Sequence, residues 1–182
     1  MPDDRTALLI MDVQEEIVAR FANGGFLERL GGAAAAARKA GVLVIYVKVE
    51  FRPGYPEISV NNRSFARITG GGGFVGTRVH PAIAPQGGDV EVIKKRVSAF
   101  AGSDLDLILR SQGIRTLVLA GIATSGVVLS TLRAAADMDY RLLVLGDCCI
   151  DSDPEVHKVL LEKVFPRQAE VLVAAAWKRS LS

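Results

Sequence analysis

Six short apolar runs rich in β-branched residues recur along the chain, at residues 7–11, 42–49, 90–93, 117–120, 142–145 and 171–173. They are nearly continuous in hydrophobicity and do not alternate, which is what strands covered on both faces by helices require. Between them, residues 15–39, 104–112, 126–138 and 153–165 carry apolar side chains at spacings of three and four, a helical period. Strands alternating with helices imply right-handed βαβ crossovers, and the expected fold class is α/β around a parallel sheet.

Punctuation along the chain agrees with that alternation. Asp153 before Pro154 is a helix cap followed by a proline at the first helical position, and Pro166 stops the same helix. Gly31, Gly32, Gly41 and Gly113 are expected where helices end and turn toward strands. The alanine run at residues 33–37 reads as a small-residue helix face packed closely on the sheet. Residues 52–89 break the rhythm: they hold Pro53, Pro56, Pro81, Pro85 and a GGGG run, with no strong strand or long helix. So long an irregular excursion is usually functional, and it is expected to be a flexible flap. The glycine run lacks the Lys-Ser or Lys-Thr of a phosphate-binding loop.

Composition narrows the class of partner. The 182 residues carry 22 Lys+Arg against 20 Asp+Glu, a formal net charge of +2, which supplies no field for nucleic acid. One domain, residues 1–182, is expected from the length, with 49% hydrophobic residues to fill its core. The stretch MPDDRTALLIMDVQ has no basic leader region and reads as a buried strand, and no apolar run approaches a membrane span. A soluble, cytoplasmic protein with a small-molecule substrate and neither nucleic-acid nor membrane partner is therefore expected. Cys148 and Cys149 are sequence neighbours, which excludes a disulfide scaffold or zinc ribbon.

In an open parallel sheet, ligands bind beyond the carboxyl ends of the strands. The polar residues that end the runs are Asp12, Lys94, the turn at residues 121–126 and Asp147. Each has a plainer reading: Asp12 as a helix cap, Lys94 as a solvated strand end beside Lys95 and Arg96, Asp147 as a turn holder. An acid, an ammonium and a glycine-bearing strand-to-helix turn in one crevice also make an active site.

Four separated stretches, MDVQ, VIKKRVSAF, LAGIATSGVVLSTLRAAADMDY and VLGDCCIDSDPEVH, together resemble the isochorismatase-like hydrolase superfamily, also called cysteine hydrolases. The resemblance implies a three-layer α/β/α sandwich around a six-stranded, mostly parallel sheet, catalytic roles for Asp12 and Lys94, and homodimers or homotetramers. It also implies an oxyanion or anion-binding turn at Ile122, Ala123, Gly126 and Val127, with a cis peptide between Ile122 and Ala123. Cysteine-dependent members read G-I-A-T-x-x-C-V, and laying that pattern on residues 121–128 puts Val127 where the nucleophilic Cys stands. An isopropyl group cannot attack a carbonyl. Ser125 precedes the helix and Ser130 lies almost a turn further in, so neither is well placed as a substitute.

Isochorismatases proper also lack the thiol and hydrolyse a vinyl ether with the acid and the lysine, although their Tyr-Ala-His-like stretch is Ala123-Thr124-Ser125 here, which argues against isochorismate itself. The leading function is an Asp/Lys acid–base hydrolase of a small anionic molecule, the second a catalytically silent member that binds a ligand or serves as an assembly subunit, and a third, redox sensing by Cys148 and Cys149, would need an accessible low-pKa thiol. Burial raises the pKa of Asp12 and a lysine ammonium lowers it, so sequence leaves the net sign open. Nicotinamidase-like members hold a metal through an Asp and two His, whereas His80 is the single histidine in that region and His157 reads as a surface or capping residue. Neither metal nor cofactor is expected. Arg52, Asn61, Asn62, Arg63 and Arg78 are polar residues of the irregular segment, and Arg63 and Phe65 are its candidate substrate contacts. Of the vicinal cysteines at most one is expected to face the crevice, and the pair reads as one small buried apolar residue and one partly exposed thiol.

Overall fold

The computed structural model describes residues 5–21 and 24–181, so the first four residues of the N-terminal stretch lie outside the described part. Six strands, β1 (Thr6–Met11), β2 (Leu43–Val49), β3 (Val90–Lys94), β4 (Thr116–Ile122), β5 (Arg141–Ile150) and β6 (Glu170–Leu172), form one sheet in the order β3-β2-β1-β4-β5-β6. Every neighbouring pair is parallel. Seven α-helices lie among the described residues: α1 (Glu15–Val18), α2 (Phe26–Lys39), α3 (Arg63–Ala66), α4 (Leu105–Ser111), α5 (Leu129–Asp137), α6 (Pro154–Val159) and α7 (Ala174–Ser180). None of them is long and apolar enough to cross a membrane.

The three layers follow from strand pleating. In β1, Ala7, Leu9 and Met11 enter one apolar cluster with Leu105, Leu132 and Phe165, while Leu8 and Ile10 enter the other with Phe26, Leu30 and Trp177. A strand with both faces buried has no polar face to show, which is why its sequence does not alternate. The edge strand β3 departs from this: Glu91 and Ile93 are exposed while Val92 and Lys94 are buried. Its period-2 pattern carries Lys94 to the inner side.

Three local expectations are corrected. The helix read over residues 15–39 is two helices, because Gly24 and Gly25 take positive φ, which an α-helix cannot continue through, and Gly25 then caps α2. Gly31 and Gly32 lie inside α2 rather than at its end. A Cβ at those positions would stand 3.5 Å from Ile83 Cγ2 and from Lys178 Nζ, an ordinary contact distance, so both positions face packed neighbours without needing a bare backbone. Residues 52–89 are not an open flap. They carry α3 and a 3-10 turn (Pro81–Ile83), and they fold on a small apolar cluster of Val49, Phe51, Phe65 and Phe74, with the Phe51 N–H donating to Phe74 O at 2.7 Å.

The chain order reverses at β1 and β4, which opens a crevice beyond their carboxyl ends. There the two strands come so close that a Cβ on Gly121 would lie 2.1 Å from Met11 O, and Gly121 has φ 143°. Gly121→Ala should therefore lower stability by about 3 kcal/mol or more, read as a drop in the urea midpoint with an unchanged slope. A variant as stable as the parent would contradict that close approach.

Candidate active site

Asp12 is the first residue beyond β1. Its backbone turns into the left-handed region, φ 57°, and its N–H donates to Val47 O at 2.8 Å, so the strand end is tied to β2 as it turns. Two residues on, the Gln14 amide completes the tie: its Oε1 accepts the Val49 N–H at 2.8 Å, and its Nε2 donates to Val49 O at 3.0 Å and to the Thr77 hydroxyl. Gln14 is fully buried, and it does the work of a strand partner where β1 has ended.

Lys94 ends β3, and β2 lies between it and β1, so the acid and the ammonium end strands that are not neighbours. The flexible lysine stem makes up the difference across the end of β2. Lys94 Nζ lies 3.0 Å from Asp12 Oδ2 and donates to Arg96 O at 2.9 Å. The side chains are 1% and 10% exposed, and Asp12 Oδ1 has no hydrogen-bond partner. Burial pushes the Asp12 carboxyl up and the Lys94 ammonium pulls it down; burial wins, and the pKa rises to about 6. The balance that the sequence leaves open is thus decided by how deeply the pair is set.

Both residues line a cavity of about 520 Å³. Its apolar wall includes Val49, Phe65, Ile68, Phe74 and Val127, and its polar side chains are Asp12, Arg20, Ser64, Arg67 and Lys94. Ala123, Gly126 and Val127 come from the turn after β4, which runs through a wide helical turn (Thr124–Val128) into α5. The Ile122–Ala123 peptide is cis. Ile122 is buried against the α2 layer and does not line the cavity.

The irregular segment supplies the outer wall, and sequence reasoning finds only part of it. Phe65 lines the cavity as expected, whereas Arg63 is exposed and outside the lining; Arg67, one helical turn on, takes that place. Arg20 and Phe74 were not expected. Arg20 Cζ sits 5.7 Å from the centre of the Phe74 ring, and Glu16 accepts the Phe74 N–H at 3.2 Å, so α1 and the turn after it hold this wall in place. No period in residues 52–89 points to these contacts; the acidic and basic residues four apart at Glu16 and Arg20 were the one available cue.

Asp147 does not join the site. Leu119 pairs with Val144 but Gly121 with Cys149, so β5 bulges between them and carries Asp147 toward the α2 and α7 side. There its Oδ1 accepts the Ala174 N–H at 2.7 Å and its carbonyl accepts from Arg29 Nε at 2.9 Å. The plainer reading, a turn holder, applies.

The residues present do not fit a metal. His80 Nδ1 accepts the Ala82 N–H, and His157 Nδ1 is 2.8 Å from Thr124 Oγ1, so the two histidines serve different neighbours. Among the described residues no three His, Cys, Asp or Glu side chains converge as ligands.

The fold is a doubly wound α/β/α sheet, with an acid–lysine pair beyond the carboxyl ends of its strands and a cavity over both. Comparison with known proteins makes this specific. The isochorismatase domain family matches residues 6–176. The chain is 35% identical over 175 residues to the isochorismatase family protein YecD of Escherichia coli O157:H7, spanning 91% of this chain and 90% of that protein. It is 31% identical over 183 residues to ureidoacrylate amidohydrolase RutB of Methylorubrum extorquens, spanning 83% and 72%. It superposes on the crystal structure of N-carbamoylsarcosine amidase from Thermoplasma acidophilum with a TM-score of 0.75 and 29% identity, over 93% of this chain and 96% of that one. The chain belongs to the isochorismatase family of hydrolases.

The vicinal cysteines sit on opposite faces of β5, Cys148 toward the α2 layer and Cys149 toward the α5 layer, and both are buried. Burial pushes the Cys148 thiol up to about 12 and Cys149 higher still. The thiolate is the reactive form. The folded protein should therefore take up no iodoacetamide at pH 7 over a time in which the urea-unfolded chain takes up two equivalents, as read by intact mass. Rapid labelling of the folded form would contradict this burial.

Proposed function

We propose that this protein is an acid–base hydrolase that cleaves a vinyl ether in a small anionic molecule, with Asp12 as the acid and no thiol nucleophile. The observation that carries the reading is the buried Asp12–Lys94 pair opening on the cavity, with the Asp12 pKa raised to about 6 and Oδ1 unpartnered. Val127 supports it: by resemblance it stands where other members carry the nucleophilic cysteine, and it lines the same cavity while only 2% exposed. A site without that thiol favours a reaction that needs none.

The reaction balances with the groups at hand. Protonated Asp12 gives its proton to the terminal carbon of the vinyl ether, and the carbon bearing the ether oxygen becomes an oxocarbenium centre. The carboxylate left behind stabilises that cation and takes a proton from the attacking water, which restores the acid. The hemiketal so formed collapses to a ketone and an alcohol. Lys94 keeps the new carboxylate paired throughout, and Arg20, Arg67 and Lys94 give the cavity the positive charge that suits an anionic substrate.

Two relatives bear amidase names, so amides belong in the same substrate panel as vinyl ethers and small carboxylates. In the vinyl-ether reading, Asp12→Asn keeps an acceptor for Lys94 but has no acid proton, and turnover falls by about 10² to 10⁴ with the fold retained by circular dichroism. Because the protonated form is the donor, kcat/KM falls about tenfold for each pH unit above about 6. Full activity in Asp12→Asn, or a rate that climbs with pH from 5 to 8, overturns the assignment. Binding of the panel's anions with no turnover by the parent protein would instead establish a silent binding protein.

A further inference from the structure

The turn that forms the inner wall of the cavity is held from outside the cavity by two side chains the proposed chemistry does not use. Asp151, just beyond β5, accepts the Ser125 N–H on Oδ2 at 2.6 Å, and its Oδ1 accepts the Asp153 N–H at 3.3 Å. Within α6, the helix that follows, His157 Nδ1 meets Thr124 Oγ1 at 2.8 Å. Consecutive residues of one turn are thus fastened to two different elements, α6 and the loop before it. Sequence alone read His157 as a surface or capping residue, and its contact with a fully buried hydroxyl corrects that.

Hydroxyl, imidazole and carboxylate in this order look like a nucleophilic triad, but the placement excludes that role. Thr124 is fully buried and absent from the cavity lining, and both Asp151 oxygens are engaged by backbone N–H groups rather than by the imidazole. α6 runs on without a break into a wide helical turn (Leu160–Val164) that is anchored in the core through Leu160, and the His157–Thr124 contact is the polar link from this helix to the turn after β4. Burial pushes His157 below its ordinary value against the pull of Asp151. For Asp151, burial acts upward, but the hydrogen bonds from Ser125 outweigh it and hold the carboxyl low. The imidazole is therefore neutral and the carboxylate charged near neutral pH, and the charged carboxylate is the form that accepts both backbone N–H groups.

We propose that His157 and Asp151 are positioning residues of the site, which fix residues 123–127 through Thr124 and Ser125 and so set where Ala123, Gly126 and Val127 stand relative to Asp12 and Lys94. This rests on the cavity being the reaction site, and the test separates the two claims by using a reporter that needs no substrate. Val127→Cys puts a thiol on the turn, in the same cavity as the Lys94 ammonium, and the pH dependence of its alkylation by iodoacetamide gives the thiol pKa; the parent chain, with Cys148 and Cys149 buried, is the blank.

Adding His157→Ala or Thr124→Val should raise that thiol pKa by about one unit, a tenfold smaller thiolate fraction at neutral pH. Thr124→Ser, which keeps the hydroxyl, should leave it unchanged. In the chain with its natural Val127, His157→Asn should preserve the slow amide exchange of Gly126 and Val127, and His157→Ala should speed it about tenfold or more. On any substrate the panel yields, His157→Ala should lower kcat about tenfold with KM within twofold. If melting temperature falls while thiol pKa and turn exchange stay put, His157 is only a structural anchor and the proposal is overturned. If thiol pKa and exchange respond while no substrate is turned over, the positioning role stands and the hydrolase reading fails by itself.

Discussion

Placing an ammonium and a carboxylate together inside a protein is expensive, and the rest of this structure is arranged around that cost. Each ion forfeits several kcal/mol of hydration, and mutual attraction repays this only with good geometry and further hydrogen bonds. Lys94 finds two acceptors, Asp12 Oδ2 and Arg96 O, whereas Asp12 is left with one oxygen unpartnered. The shortfall falls on the carboxyl, burial outweighs the lysine, and a proton is held on Asp12 at pH values where a surface aspartate has long lost it.

The sheet makes the pair possible. Because β1 lies at the centre of the order and β3 at the edge, the acid is deep and the lysine comes from the rim, with β2 between them. Gln14 closes the end of β2 against the turn after β1, and Gly121 lets β4 press against Met11, so the three strand ends form a firm floor. Over this floor stand two walls of different character. One is the turn after β4, fastened from behind by Asp151 and His157; the other is the aromatic cluster of residues 49–74, gripped by Glu16 and Arg20.

The layers and the strand order's consequences were legible because they rest on periodicity. Unbroken apolar runs marked the strands buried on both faces, and polar residues at their ends marked Asp12 and Lys94. Interruptions were less legible: Gly24 and Gly25 split a helix that looked continuous, while Gly31 and Gly32 sat inside one that looked finished, since only three-dimensional packing distinguishes the two uses of glycine. The bulge that diverts Asp147 leaves no signature in an apolar strand. Arg67 and Phe74 in the outer wall depend on the tertiary fold of an aperiodic segment, so Arg63 looked as good a contact as its neighbour one turn on.

The proposed chemistry turns on one proton, the one held by Asp12. Labelling the aspartates with carbon-13 at the carboxyl and following the Asp12 resonance against pH, assigned through its disappearance in Asp12→Asn, measures that proton directly. An inflection near 6 is the result that a buried, lysine-paired acid on the floor of the cavity gives. An inflection at or below 3.8, the ordinary aspartate value, would show that Lys94 wins over burial, and Asp12 would then be a permanent carboxylate unable to serve as the acid.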